Sequence, residues 1–114
     1  ERIGDYAFTI LEHQDMLPDA MRALALQIRD RLGPGVAIVG SVNDGKGALV
    51  AAVSKDLVDR GVSAAELIAP AARALGGGGS RDPELAQAGG PNGGGMSKAL
   101  DLAREAVGST LGGL

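Results

Sequence analysis

The chain has 114 residues, a length that fits one domain able to bury a core and is short for a multi-step enzyme. Ala supplies much of its 45% hydrophobic content, Tyr6 and Phe8 are its aromatics, and it has no Cys; the core is therefore aliphatic, and disulfide, thiolate-metal and thiol-nucleophile chemistry are excluded. Eleven basic against fourteen acidic residues give a net charge of -3, which excludes a protein that coats nucleic acid by bulk positive charge.

Alternation over 5–11 places Tyr6, Phe8 and Ile10 on one face of a first strand. Behind Pro18, which suits a first helical turn, Met21, Leu24, Ala25, Ile28 and Leu32 recur at helical spacing, and Gly33 is a natural stop. The apolar runs 36–39 and 48–53 predict two buried strands, joined through the Asp44-Gly45 signal of a tight hairpin. Lys55 to Arg60 fits one short helical turn ending at Gly61. Ser63-Ala64-Ala65-Glu66 then has the form of a capping box opening a second helix, which carries Leu67, Ile68, Ala71 and Leu75 inward. Pro70 predicts a kink or break in it. From 76 to 95 nine of twenty residues are glycine, with a further strand expected in this stretch. Met96, Leu100, Ala103 and Val107 mark a final helix, and 108–114 is expected to fray. This order predicts a single α/β domain over 1–107, with a small mixed sheet of about four strands and helices packed on it. The hairpin should be antiparallel and the first crossover parallel and right-handed.

No stretch approaches the roughly 20 apolar residues of a membrane span, and 1–5 lacks a basic region leading into an apolar one, so a soluble, cytoplasmic protein without membrane contact is expected. A chain that opens without Met reads either as processed or as a piece of something longer. Residues 71–104 carry four bases (Arg73, Arg81, Lys98, Arg104) against three acids, while 1–34 hold six acids and four bases, so an anion-binding surface is expected in the later half.

One glycine would have been enough to cap the helix before Gly76-Gly77-Gly78-Gly79-Ser80-Arg81. Consecutive glycines let backbone N–H groups approach a phosphate or ribose, with Arg81 adding a charged contact. A flexible linker is the competing reading of the same run. Gly40 to Lys46 matches seven positions of the P-loop pattern, but Gly47 stands where the magnesium-binding hydroxyl belongs and a strand follows where a helix is required. A plain hairpin turn explains that segment. His13 has no Cys or second His to join in a zinc site, Ser41, Ser54 and Ser80 have no neighbouring histidine, and the pairs Asp56/Asp59 and Asp82/Glu84 read as solvated faces. No catalytic residue is assigned.

The stretch Gly76-Gly77-Gly78-Gly79-Ser80-Arg81 continuing to Ala86-Gln87-Ala88-Gly89-Gly90 resembles the glycine-run, arginine, Ala-Gln-Ala-Gly-Gly signature near the carboxyl end of bacterial alanyl-tRNA synthetases. The similarity covers about residues 35–107. That C-terminal domain belongs to the DHH-associated group, also found in phosphodiesterases and single-strand exonucleases. There the glycine run commonly ends in a histidine; here it ends Gly79-Ser80-Arg81, which fits the synthetase branch.

The resemblance implies a non-catalytic domain of an alanine-tRNA ligase that binds the elbow of tRNA(Ala) and helps aminoacylation and editing centres share one tRNA. It implies no cofactor here, ATP, magnesium and zinc being bound elsewhere in the parent enzyme, and as partners the rest of the synthetase chain and a second copy in a homodimer. Gly76, Gly77, Gly78 and Gly79 are assigned to close backbone approach to RNA, Arg81 and Lys98 to phosphate, and Gln87 to a sugar or base edge, unless it only satisfies loop backbone. Lys46 and Lys55 are secondary phosphate contacts. The competing classes are a dimerisation module of the same enzyme and a fragment of a DHH-family phosphodiesterase or nuclease.

Overall fold

The computed structural model describes residues 2–4 and 6–113. One mixed sheet runs β1(Arg2–Ile3), β2(Tyr6–Gln14), β3(Gly35–Asn43), β4(Lys46–Val53), β6(Leu85–Gly90), β5(Gly78–Gly79) from edge to edge. Four of these are full strands, as the sequence implies, and the two-residue strands β1 and β5 close the edges. β2 and β3 are parallel and every other neighbouring pair is antiparallel. The first strand is expected from Asp5, which lies outside the described residues, as do Glu1 and Leu114.

Helices cover both faces. Helix α1(Pro18–Leu32) sets Met21 and Ala25 against Val39, Val50 and Ala52, with Leu24 and Ile28 beside them. On the opposite face α2(Lys55–Asp59), α3(Ala64–Ala74) and α4(Met96–Gly112) bury Leu57, Leu67, Ile68, Ala71, Met96, Ala103 and Val107 against Phe8, Ile38, Leu49 and Ala86. Alternation along β3 and β4 feeds the two cores: Ile38 and Leu49 point one way, Val39 and Val50 the other. Each fully buried aliphatic side chain contributes about 1.5–3 kcal/mol, so with so few aromatics the fold depends on the number of these contacts.

Three local expectations are corrected. Ser63 makes no side-chain cap; the N–H of Ala64 goes instead to the carbonyl of Pro83, 2.9 Å away. A long-range carbonyl thus satisfies the first N–H of the helix, while the capping box is not formed. Of the kink or break expected at Pro70, the break is absent, helix α3 being continuous through it. The carbonyl deprived of its helical donor is that of Glu66, an exposed residue, where water can satisfy it. Residues 108–112, expected to fray, form the last turns of α4, held by Leu111, which is 2% exposed.

Candidate nucleic-acid interface

The glycine run begins as a helix terminator. Gly76 takes φ +78°, its N–H bonds the carbonyl of Arg73 at 3.0 Å, and the N–H of Gly77 bonds that of Ala72 at 3.1 Å. This pair of bonds is a Schellman motif, which turns the chain out of α3 and lays it along β6. The lie is tight: a Cβ on Gly77 would stand 1.9 Å from the carbonyl oxygen of Gly89, and one on Gly79 2.8 Å from that of Gln87. Three of the four glycines are therefore demanded by the protein's own fold, Gly76 by its positive φ and Gly77 and Gly79 by close packing. Gly78 is different, since a Cβ there meets nothing within 4 Å.

β5 is the outer edge of the sheet, with Gly78 opposite Gly89 and Gly79 opposite Ala88. Ser80 N–H bonds the carbonyl of Gln87 at 2.8 Å. In an antiparallel ladder bonded and non-bonded pairs alternate, so Gly79 falls at a non-bonded pair and its N–H and C=O point away from β6, over the open edge. Beyond it the loop is locked at both ends. Ser80 Oγ accepts the N–H of Gln87 at 2.9 Å, and Asp82 Oδ1 accepts those of Leu85 at 3.1 Å and Glu84 at 2.8 Å. These two donors, Leu85 foremost, hold the Asp82 carboxyl below the usual carboxylate range. Arg81 projects from this fixed loop, exposed and without a hydrogen-bond or ion-pair partner among the described residues.

A hollow flanks the edge on each side. The one beside α3, about 450 Å³, is bordered by Ser63, Glu66, Arg73 and Arg81 and floored by Gly77, Gly78 and Gly79. Arg73 is exposed and has no hydrogen-bond or ion-pair partner among the described residues. The hollow on the α1 face is broader, about 750 Å³, with Arg22 and Gln87 at its rim and Ala48, Gly78, Gly79 and Gly89 beneath. Arg22 Nη1 donates to Gln87 Oε1, and its Nη2 pairs with Asp19 one turn back along α1.

The structure brings together Gly76, Gly77, Gly78, Gly79, Arg81 and Gln87, but not all the lysines. Lys46 lies at the hairpin turn, where Gly45 takes φ +77° and its carbonyl accepts the N–H of Gly93 at 2.7 Å, and Lys98 stands in the first turn of α4 just after. Both belong to the end of the sheet opposite Arg81. Lys55 follows the far end of β4, where Val53 N–H bonds the carbonyl of Glu84 at 2.8 Å, and so shares the end that carries the Arg81 loop. Arg22 escaped the sequence reading, and Arg73 entered it only as one of the later-half bases, with no contact assigned. Both flank an apolar stripe, Arg22 between Met21 and Ala25 and Arg73 just after Ala72, and a charge at the border of a buried face is the signal that could have found them.

Other candidates resolve into structure. The stretch matching the P-loop is a hairpin whose Asp44 and Gly45 both have positive φ, and Ser41, 0% exposed, accepts the N–H of Met16 at 2.9 Å. His13 is exposed near the end of β2. Among the described residues no three His, Cys, Asp or Glu side chains gather to hold a metal ion, and no helix is long and apolar enough to cross a membrane. Tyr6 lies beneath the guanidinium of Arg60 and Phe8 beneath that of Arg104, each 5.9 Å from the ring centre, so neither ring forms an open stacking platform.

A helix-covered mixed sheet ending in a glycine-built edge is the architecture of a small α/β domain. The family model of the DHHA1 domain matches residues 4–109, and the chain belongs to that family. It is 43% identical over 93 residues to an alanine–tRNA ligase of Pelotomaculum thermopropionicum and 44% identical over 92 residues to one of Anaeromyxobacter dehalogenans. These matches cover 82% and 81% of this chain but 11% and 10% of those enzymes, so the chain spans about a tenth of the length of the curated relatives it matches. The C-Ala domain of Aquifex aeolicus alanyl-tRNA synthetase superposes with a TM-score of 0.84 at 30% identity, covering 95% of this chain and 96% of that one. The resemblance to the C-terminal domain of alanyl-tRNA synthetases is thereby borne out.

Proposed function

We propose that the glycine edge is a tRNA-binding surface. On this reading the domain grips the outer corner of tRNA(Ala) for a larger alanine–tRNA ligase, so that aminoacylation and editing centres act on one tRNA. The observation that carries the proposal is the union of an outward-pointing Gly79 peptide edge with two arginines, Arg73 and Arg81, unpartnered among the described residues, around a hollow floored by glycine. Backbone donors reach phosphates and 2′-hydroxyls where no side chain intervenes, and two guanidiniums supply local positive charge that the net charge of -3 conceals. Such a site selects by shape, as suits a folded RNA. Lys55 extends it at the Arg81 end, while Lys46 and Lys98 offer a separate cationic point at the opposite end for a ligand as large as tRNA. ATP, magnesium and zinc belong to other parts of the ligase, which works in the cytoplasm.

A dimerisation role finds less support, because Leu17 is the large hydrophobic residue exposed among the described residues and a lone one forms no apolar patch. The test is binding of tRNA(Ala) and of an unrelated RNA hairpin across a salt series. Arg81→Ala is expected to weaken tRNA binding and to reduce the slope of log affinity against log salt by about 1, the mark of one lost phosphate contact. Equal affinity for tRNA and hairpin would overturn recognition of the elbow.

A further inference from the structure

The α1 face of the edge holds a contact that the family signature does not account for. Gln87 lies directly opposite Val50, whose side chain faces α1, and so the two share that face of the sheet. Its backbone is pinned by Ser80 Oγ, and its side-chain Oε1 accepts from Arg22. A guanidinium has donors and no acceptor, so this partner dictates which end of the carboxamide it meets. Nε2 is thereby turned the other way. It has no hydrogen-bond partner among the described residues and is not a buried unsatisfied group, so it is open to solvent at the rim of the 750 Å³ hollow. Arg22 is itself steadied by Asp19, which offsets its charge.

We infer that Arg22 is a positioning residue of the edge: by holding Oε1 of Gln87 it presents Nε2 as a fixed donor, making the α1 face a site for hydrogen-bond-accepting oxygens of the RNA backbone. The inference rests on the tRNA reading and adds to it a second face, independent of Arg73 and Arg81. It explains why a glutamine stands in a strand otherwise built from Ala, Gly and Leu. It also separates two kinds of contact. Arg81 meets charge with charge, whereas Gln87 selects by geometry with little dependence on salt, because the cation behind it is already paired with Asp19.

The experiment uses this chain with tRNA(Ala), measuring affinity across salt for Arg22→Ala, Gln87→Ala, the double variant and Arg81→Ala, with thermal melts to confirm folding. Each single variant at Arg22 or Gln87 is expected to weaken binding about threefold to tenfold without changing the salt slope, and the double variant to be no weaker than Gln87→Ala. Losses that multiply in the double variant would overturn the inference, since Arg22 would then touch RNA itself. Unchanged binding in both singles beside a weakened Arg81→Ala would overturn it while leaving the tRNA reading standing. No preference of the wild-type chain for tRNA would overturn both. A second readout needs no RNA: the Gln87 side-chain amide should give ordered nuclear magnetic resonance signals that become those of a mobile carboxamide in Arg22→Ala. Signals unmoved by that substitution would refute the positioning role.

Discussion

Two stretches of this chain look alike in sequence and behave oppositely in the fold. The Gly40–Gly47 segment and the Gly76–Arg81 segment each combine glycines with a serine and a cation, the composition of a phosphate-binding loop. In the first, Gly40 and Gly47 are spent inward and Gly45 serves the turn: a Cβ on Gly47 would sit 2.6 Å from Leu75 Cδ2 and one on Gly40 2.9 Å from Met96 Sδ. The backbone there is committed to the β3–β4 ladder, and the carbonyl of Gly45 is taken by Gly93. In the second, packing also claims Gly77 and Gly79, yet the strand β5 is the last of the sheet, and one side of its backbone is left open. What makes a glycine segment a candidate site is therefore its place in the strand order rather than its composition.

The largest effect that would sharpen this contrast lies at Gly77. In Gly77→Ala the new methyl meets backbone atoms of Gly89 and Gly90 that cannot rotate aside, so β5 must leave β6. A loss of about 3 kcal/mol or more is expected in urea unfolding, at the upper end for overpacking. Gly45→Ala should cost less, about 1–2 kcal/mol, because nothing lies within 4 Å of a Cβ there and only φ +77° opposes it. Its tRNA affinity should equal that of the wild-type chain. Weakened binding by Gly45→Ala at unchanged fold would erase the distinction between the two segments.

The same contrast explains what could be read in advance. Strands and helices whose large side chains recur with a period declared themselves: Tyr6, Phe8 and Ile10 do face one core, and Met21, Ala25 and Ile28 the other. β5 did not, because strand preference resides in side chains and Gly78 and Gly79 have none; it is a strand only because Gly89 and Ala88 lie beside it. The anchor at the start of α3 was hidden for a related reason: the N–H of Ala64 is taken by the carbonyl of Pro83, nineteen positions further on, a partner visible only in the folded chain. Site residues divide likewise. Arg81 and Gln87 stand within the recognisable signature, whereas Arg22 reaches Gln87 from α1, 65 positions away, and no local pattern joins them.

The smallest expected change in stability is the one that bears most directly on function. Gly78→Ala adds a methyl where no atom lies within 4 Å, and the residue has no positive φ to forbid it, so unfolding should shift by no more than about 0.5 kcal/mol. The methyl nevertheless projects beside the open edge, at a residue that lines both hollows. If RNA approaches the backbone there, the added Cβ stands between them, and tRNA affinity should fall while the melting temperature and the affinity for an unrelated hairpin hold. Full tRNA affinity in Gly78→Ala would mean that the edge glycines serve β5 alone, and RNA contact would then have to come from Arg81, Arg73 and the lysines without close backbone approach.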